Sequence, residues 1–557
     1  MSRRLASLLI GIVLAAALVP SVKLAYRFRT MPQIGAYHDD AVYLASAKSL
    51  ADHTGYRVLS LPGQPFQTRF PPVFPLLLSL VWRLDPRFPE NLPKVTMLCW
   101  CFLPLYVFLV FQLLRQWGLG KLESTAITAL AALSPHLVLA SLMTMSDLTF
   151  CVLVLGAILL LERGMTQASP AIFAAAGVVG GLAFLTRTQG LALLASATLC
   201  LVWRRRWLDA ALYSSIFGVA VVGWFLWTRQ HAYPGADPVA IYYVDYARFY
   251  QVSVHWADIP GFVQTNVDSM FMGATRLIFA SVGFSTPARA FAWVVCAGAA
   301  SGLVRAVRQT GRLHFALFSL VSFLMLIPSY FPPNERYLLP LWPAIAAGLY
   351  FELRHILGLC RVNFAQPAWS QRLAAAAIFT LAAGVSIAIP FNNLQGVASD
   401  LPSILSDYER LSNLKRPGYE WIRDHTPVDT RILTYDDPLL YLYTGRSGYA
   451  MPILYWLTYD CTPRRTAAYF STTSDFMAEH NLTYALVTAS DFRRDLQDDG
   501  RKALTDALSN GEFFEETYSS PGAGVFKVKS APANVARVRS EPGSWWAGVR
   551  ESIPTIH

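Results

Sequence analysis

The feature that most limits what this chain can become is its series of long apolar runs. A helix crossing a bilayer core needs about 20 mostly apolar residues. Runs that approach or reach that length recur at 5–24, 95–114, 124–141, 147–161, 170–186, 189–203, 209–228, 288–304, 313–330, 337–353 and 372–390. Composition agrees: of 557 residues, 54% are hydrophobic and only 15% charged, with mean hydropathy +0.36. Soluble domains carry about 25% charged residues. The sequence therefore predicts an α-helical polytopic membrane protein with about eleven transmembrane helices.

Charge divides the chain in two. Residues 1–391 contain 29 Lys and Arg against 15 Asp and Glu, whereas residues 392–557 contain 17 against 21. The basic part is also the apolar part, which points to membrane topology and away from a nucleic-acid partner. With the N-terminus in the cytoplasm, Arg3, Arg4, Arg115, Lys121, Arg163, Arg204–Arg206, Arg305, Arg308, Arg312, Arg354, Arg361 and Arg372 all fall on the cytoplasmic side. That arrangement holds only if Pro72–Trp82, about 11 residues long, stays outside as an interfacial or re-entrant segment. Lys23, Arg27 and Arg29 run against the pattern, at the head of a long loop where the rule is weaker. The first apolar run has no small-residue cleavage site before Lys23 and is expected to remain as a span.

Two large outer loops follow, 25–94 and 229–287, and the odd number of spans places residues 392–557 outside as well. In the first loop Asp40–His53 has apolar residues at helical spacing and is expected to lie in the interface as an amphipathic helix. Residues 392–557 read as a small extracytoplasmic α/β domain. Its expected helices lie at Gly418–Asp424 and near Phe492–Leu508. Its expected strands are Arg431–Thr434, Tyr484–Thr488 and a pair near Phe513–Tyr518 and Gly524–Val528, with a loosely ordered tail after 530. Six of the seven cysteines sit in or beside apolar segments as core thiols. Cys461 stands alone in the C-terminal part, so that part can hold no internal disulfide.

Five places could carry chemistry. Asp39 and Asp40 precede the first-loop helix; carboxylates there either favour the helix N-terminus or serve as a general base. Arg69 leads Phe70-Pro71-Pro72, either as an interfacial side chain or as a clamp on a phosphate. Asp147 stands at the outer end of a span, as a cap or as a functional intramembrane acid. Arg187, in the turn Thr186–Gly190, either snorkels or meets an anion. Arg336 and Tyr337 stand at the outer mouth of a late span, where an arginine invites a phosphate. His231 and His255, in the second outer loop, are the candidates for a metal, although a lone loop histidine more often binds none. All the acids and arginines fall on the same face in separate loops, where one site would meet a lipid phosphate and an extracytoplasmic acceptor together.

Read in order, several segments resemble the GT-C glycosyltransferases, and more narrowly the family of protein O-mannosyltransferases and lipid A aminoarabinose transferases. They are His38-Asp39-Asp40-Ala41-Val42-Tyr43-Leu44-Ala45-Ser46-Ala47, Arg69-Phe70-Pro71-Pro72, Leu133-Ser134-Pro135, Ser146-Asp147, Leu185-Thr186-Arg187 and Arg336-Tyr337-Leu338-Leu339-Pro340. The resemblance covers roughly 5–390. It implies a GT-C membrane domain in a bacterial inner membrane and a polyprenyl-phosphate sugar donor, usually with inversion, together with an extracytoplasmic acceptor. It casts Asp39 as the base or acceptor-positioning carboxylate and Asp147 as the second acid, with Arg69, Arg336 and Tyr337 on the donor phosphate. It also implies that the proline-led helix stays on the outer face. Some relatives bind a divalent metal. The chain departs from the pattern in having Asp40, where the family also uses Glu. A transporter or flippase of lipid-linked substrates is the rival class, and an inactive scaffold a third. Transporters tend to show internal repeats, and the sequence shows none.

Overall fold

The computed structural model describes residues 3–254, 258–364, 369–459, 462–493 and 495–529, with Trp545 and Val549. Each of the eleven expected spans falls on helix. Among the described residues, however, six helices have the length and apolarity to cross a bilayer unaided. A seventh candidate is a pair, Lys121–Ala132 and Pro135–Ser141, bent by 58° at its break. Pro135 cannot donate the backbone hydrogen bond that would continue the first helix. Pro170–Phe184 and His314–Leu326 are shorter, 15 and 13 residues, and reach about 23 and 20 Å. Their expected spans ended in chain that turns instead of continuing as helix.

Small residues let the bundle close. A Cβ on Gly302 would meet the carbonyl oxygen of Gly348, and one on Gly348 would meet that of Ala299, so Thr286–Thr310 and Trp342–Phe364 pack backbone to backbone. The basic helix ends also gather. Arg204 donates to the Gly311 carbonyl, and Arg206 to that of Met165 at 3.5 Å. Arg312 pairs with Glu162 at 3.1 Å.

The segment expected to stay outside forms the helix Val73–Leu84, whose 12 residues span about 18 Å. The first-loop helix runs Asp39–Ala51, but it is not half-wetted as the amphipathic reading required. Asp40 through Ala47 are all buried, because Val73–Leu84 covers one side and the C-terminal part covers another.

That C-terminal part holds a five-stranded sheet: β1 Arg431–Thr434, β2 Ser447–Tyr449, β3 Tyr484–Thr488, β4 Phe514–Ser520 and β5 Ala523–Val528. Their order is β2-β1-β3-β5-β4, with β1 parallel to β2 and β3, and β5 antiparallel to β3 and β4. β2 is three residues long and carried no alternating pattern to reveal it. The expected helix at Gly418–Asp424 is the end of a longer one, Leu401–His425, and the one expected near Phe492 starts at Gln497. Helix runs through residue 391 without a break, from Trp369 to His425, with a π-helical turn at Gly396–Asp400. The sheet shares its apolar cores with segments of 25–94 and 229–287. Val42, Val58, Val239 and Tyr243 pack with Leu433, Tyr449 and Val487, and Ile34, Tyr43 and Phe74 with Ile422, Ile432 and Leu486.

Candidate active site

Between the helix bundle and the C-terminal sheet lies a cavity of about 1110 Å³. Five short pieces of chain bring charge to it, each at the end of a helix. His38 has φ +57°, a left-handed conformation that costs a non-glycine residue energy. The turn it makes starts the helix Asp39–Ala51 and leaves Asp39 on the cavity wall. Arg69 lies just before Val73–Leu84, and Arg187 just after Pro170–Phe184. Asp147 opens the helix Asp147–Gln167. Arg336 and Tyr337 belong to the one-turn helix Glu335–Leu338.

The charges are coupled. Asp147, 2% exposed, takes Arg187 Nη1 on Oδ1 at 2.6 Å and faces Arg336 Nε with Oδ2 at 3.2 Å. The second contact has ion-pair distance but poor hydrogen-bond angles, so Arg336 Nε and Asp147 Oδ2 have no hydrogen-bond partner among the described residues. The same Arg336 reaches Asp39 through Nη2 at 3.9 Å. The guanidinium groups of Arg187 and Arg336 lie 5.4 and 5.6 Å from the Tyr337 ring centre, within cation–π range. Arg69 donates to the Tyr242 carbonyl at 2.9 Å and sits over the rings of Phe70, Tyr242 and Tyr246. Burial works against the charge of Arg69 and of Arg336. The negative groups around each, Asp39 among them, outweigh it and hold both more firmly protonated than a free arginine. Burial pushes His38 down to about 4, with Asp39 opposing and Arg69 adding to the fall, so its imidazole is neutral at pH 7.

Asp39, Asp147, Arg69, Arg187, Arg336 and Tyr337 are thus brought to one place, with Asp147 behind the wall and the others lining it. Asp40 is not among them. It is 1% exposed and turned away, its carboxylate accepting the Gly35 and Ala41 backbone N–H groups. Burial raises it to about 6, against the pull of those N–H groups and of Lys415. Adjacent helix residues point about 100° apart, and the backbone N–H groups of Gly35 and Ala41 hold Asp40 on the side away from the cavity.

Of the two metal candidates, His231 does not line the cavity. His231 stacks on Trp227 at 3.8 Å and meets Phe66 edge-on at 4.2 Å, with Nδ1 3.0 Å from the Trp227 carbonyl. His255 lies outside the described residues. Among the described residues no three His, Cys, Asp or Glu side chains gather to hold a metal. Asp147 already has two arginines where a cation would sit. Among the described residues, the side chains around the cavity do not fit a divalent metal.

Several lining residues escaped sequence reasoning: Tyr37, Tyr242, Tyr246, Tyr435 and Asp495. The aromatic density of Ile241–Tyr250, with four tyrosines and a phenylalanine in ten residues, was a usable signal for two of them. Nothing local marked Tyr435 or Asp495.

A bundle of apolar helices with charged helix ends converging under an α/β cap is the architecture of a multi-pass membrane protein. Residues 69–227 match the family model for dolichyl-phosphate-mannose-protein mannosyltransferase. ArnT from Cupriavidus metallidurans, in its structure bound to undecaprenyl phosphate, is similar with TM-score 0.52 and 14% identity, over 91% of this chain and 97% of that one. The Archaeoglobus fulgidus oligosaccharyltransferase in its apo form is similar with TM-score 0.53 and 13% identity, over 94% and 75%. No curated protein matches the chain in sequence. At these identities the likeness is one of fold: this chain has the GT-C glycosyltransferase fold over more than nine-tenths of its length, and the resemblance read from its motifs stands.

Proposed function

We propose that the protein transfers a single sugar from a polyprenyl-phosphate donor to an acceptor on the outer face of a bacterial inner membrane. One observation carries this reading: Asp39 stands 3.9 Å from an arginine that is also bound into the Asp147–Arg187 pair, on the wall of a cavity that Arg69 enters as well. Displacement at an anomeric carbon needs a base on the attacking side and positive charge on the leaving side. An acceptor hydroxyl attacks the anomeric carbon, and its proton passes to Asp39. The bond from that carbon to the phosphate oxygen breaks, and polyprenyl phosphate leaves against Arg336, Arg187 and Arg69. A single displacement inverts the anomeric centre. Tyr337 flanks Arg187 and Arg336 and holds them toward the departing charge.

The orientation rests on the positive-inside rule. The basic ends around Arg204, Arg206 and Arg312 contact neighbouring helix ends. Glu162, the partner of Arg312, lies 15 residues along a helix from Asp147 at the cavity, about 23 Å away. A carrier of lipid-linked substrates would gather its polar groups at mid-bilayer; here they stand at helix ends. The test is mass spectrometry of envelope lipids and glycans from cells with and without the gene, and with Asp39→Asn. One sugar is expected to disappear from one class of molecule in both the deletion and the variant. An unchanged envelope in the deletion, or full modification by Asp39→Asn, would remove the proposal.

A further inference from the structure

The cavity is chemically asymmetric. Its membrane side holds Arg69, Arg187 and Arg336; its far wall comes from the C-terminal part and presents Tyr435 and Asp495. Tyr435 Oη donates to Asp495 Oδ2 at 2.5 Å, and among the described residues no cation pairs with Asp495. Tyr242 joins the two sides. Its ring lies 4.6 Å from the Arg69 guanidinium, and burial raises its hydroxyl pKa against the pull of Arg69, with Asp39 and Asp495 adding to the rise. Tyr246 extends the same aromatic wall, 4.5 Å from Arg69.

Resting on the glycosyl-transfer reading, we propose that Tyr435, Asp495, Tyr242 and Tyr246 form the acceptor subsite, which takes a carbohydrate bearing hydroxyl or amine groups and refuses a carboxylate-bearing one. Tyrosine rings offer flat apolar faces to the C–H face of a sugar, with polar tips for its hydroxyls. A carboxylate accepts hydrogen bonds from hydroxyls or ammonium groups and repels another anion. The position suits the acceptor and not the donor. The donor phosphate belongs among the arginines, so the acceptor enters past Tyr435 and Asp495, with Tyr242 and Tyr246 at the boundary beside Arg69.

The test uses the full chain in membranes, with labelled undecaprenyl-phosphate hexoses and pentoses as donors. Methyl mannoside, methyl glucosaminide and methyl glucuronide are added as acceptors. Total donor cleavage, including hydrolysis to water, is read separately from transfer to each glycoside. The wild type is expected to use the mannoside or the glucosaminide at least tenfold better than the glucuronide. Asp495→Lys is expected to reverse that order, and Tyr435→Phe to raise the acceptor KM severalfold with the donor KM unchanged. Donor cleavage by each variant shows that it has folded, and Asp495→Asn, of equal size, serves where the lysine variant does not fold. Its preference against the glucuronide is expected to fall at least fivefold. Equal use of the glucuronide by the wild type, cleavage with transfer to none of the three, or a change in donor KM alone would overturn the subsite. Absence of any donor cleavage by the wild type would instead strike the glycosyl-transfer reading itself.

Discussion

The helix Asp147–Gln167 carries a buried carboxylate near each end, and the two make an instructive pair. Asp147 has Arg187 at 2.6 Å and Arg336 at 3.2 Å. Glu162 has His314 at 3.0 Å and Arg312 at 3.1 Å. Each acid is nearly inaccessible and each has two cationic partners, so a list of ion pairs does not separate them. What separates them is the surroundings. Arg187 and Arg336 open onto a large cavity, and Arg336 is shared with a second acid, Asp39. The Glu162 group lines no part of that cavity. Buried ion pairs are weak evidence for function or for stability; a buried pair whose cations line a cavity is far more informative.

Breaking the cavity end should have the largest effect. Arg336→Gln keeps a polar side chain but removes the charge proposed to face the departing phosphate. Transfer from labelled polyprenyl-phosphate donor is expected to fall by about 10²–10³, the usual scale for losing one preorganised electrostatic contact. A loss under threefold would place Arg336 with the structural pairs. Arg312→Gln sharpens the contrast from the other end. It leaves Glu162 buried with only His314, so the folded state should lose about 3 kcal/mol. Thermal unfolding in detergent checks the loss, and specific transfer by the protein still folded should stay within about twofold of wild type. If transfer fell as far as in Arg336→Gln, the two ends would not differ in kind.

The smallest effect concerns the acid that faces away from the cavity. Burial holds the Asp40 carboxyl at about 6, above its ordinary 3.8. The unfolded chain therefore releases this proton first as pH rises. The stabilisation is complete below about pH 4 and is lost by about pH 6, a change of about 3 kcal/mol. His38, pushed down from 6.5 to about 4, acts in the opposite sense and adds stability over pH 4 to 6.5. Asp437 and Asp491, held up to about 7 and about 6 by burial, share the sign of Asp40. Comparing wild type with Asp40→Asn isolates Asp40 from the rest. The stability of the variant relative to wild type should grow between pH 4 and 6 and then level off, measured by melting at several pH values. A constant difference would mean that Asp40 titrates normally and that its burial has been misjudged.

The sequence by itself determined the membrane class, because apolar length is a local property that a bilayer reads directly. It also raised the expectation that Pro72–Trp82 stays out of the bilayer core, since the helix found there, Val73–Leu84, reaches about 18 Å against a core of about 30 Å. Asp39, Asp147, Arg69, Arg187, Arg336 and Tyr337 were legible because charges placed at apolar helix ends stand out against their neighbours. Only the tertiary structure decided between Asp39 and Asp40, since which neighbour faces the cavity depends on how the helix is rolled against Val73–Leu84 and the sheet. Tyr435 and Asp495 were likewise invisible, because they reach the site through the packing of a sheet nearly 400 residues after Asp39. Contacts between segments that far apart are fixed by long-range burial, and no local pattern encodes them.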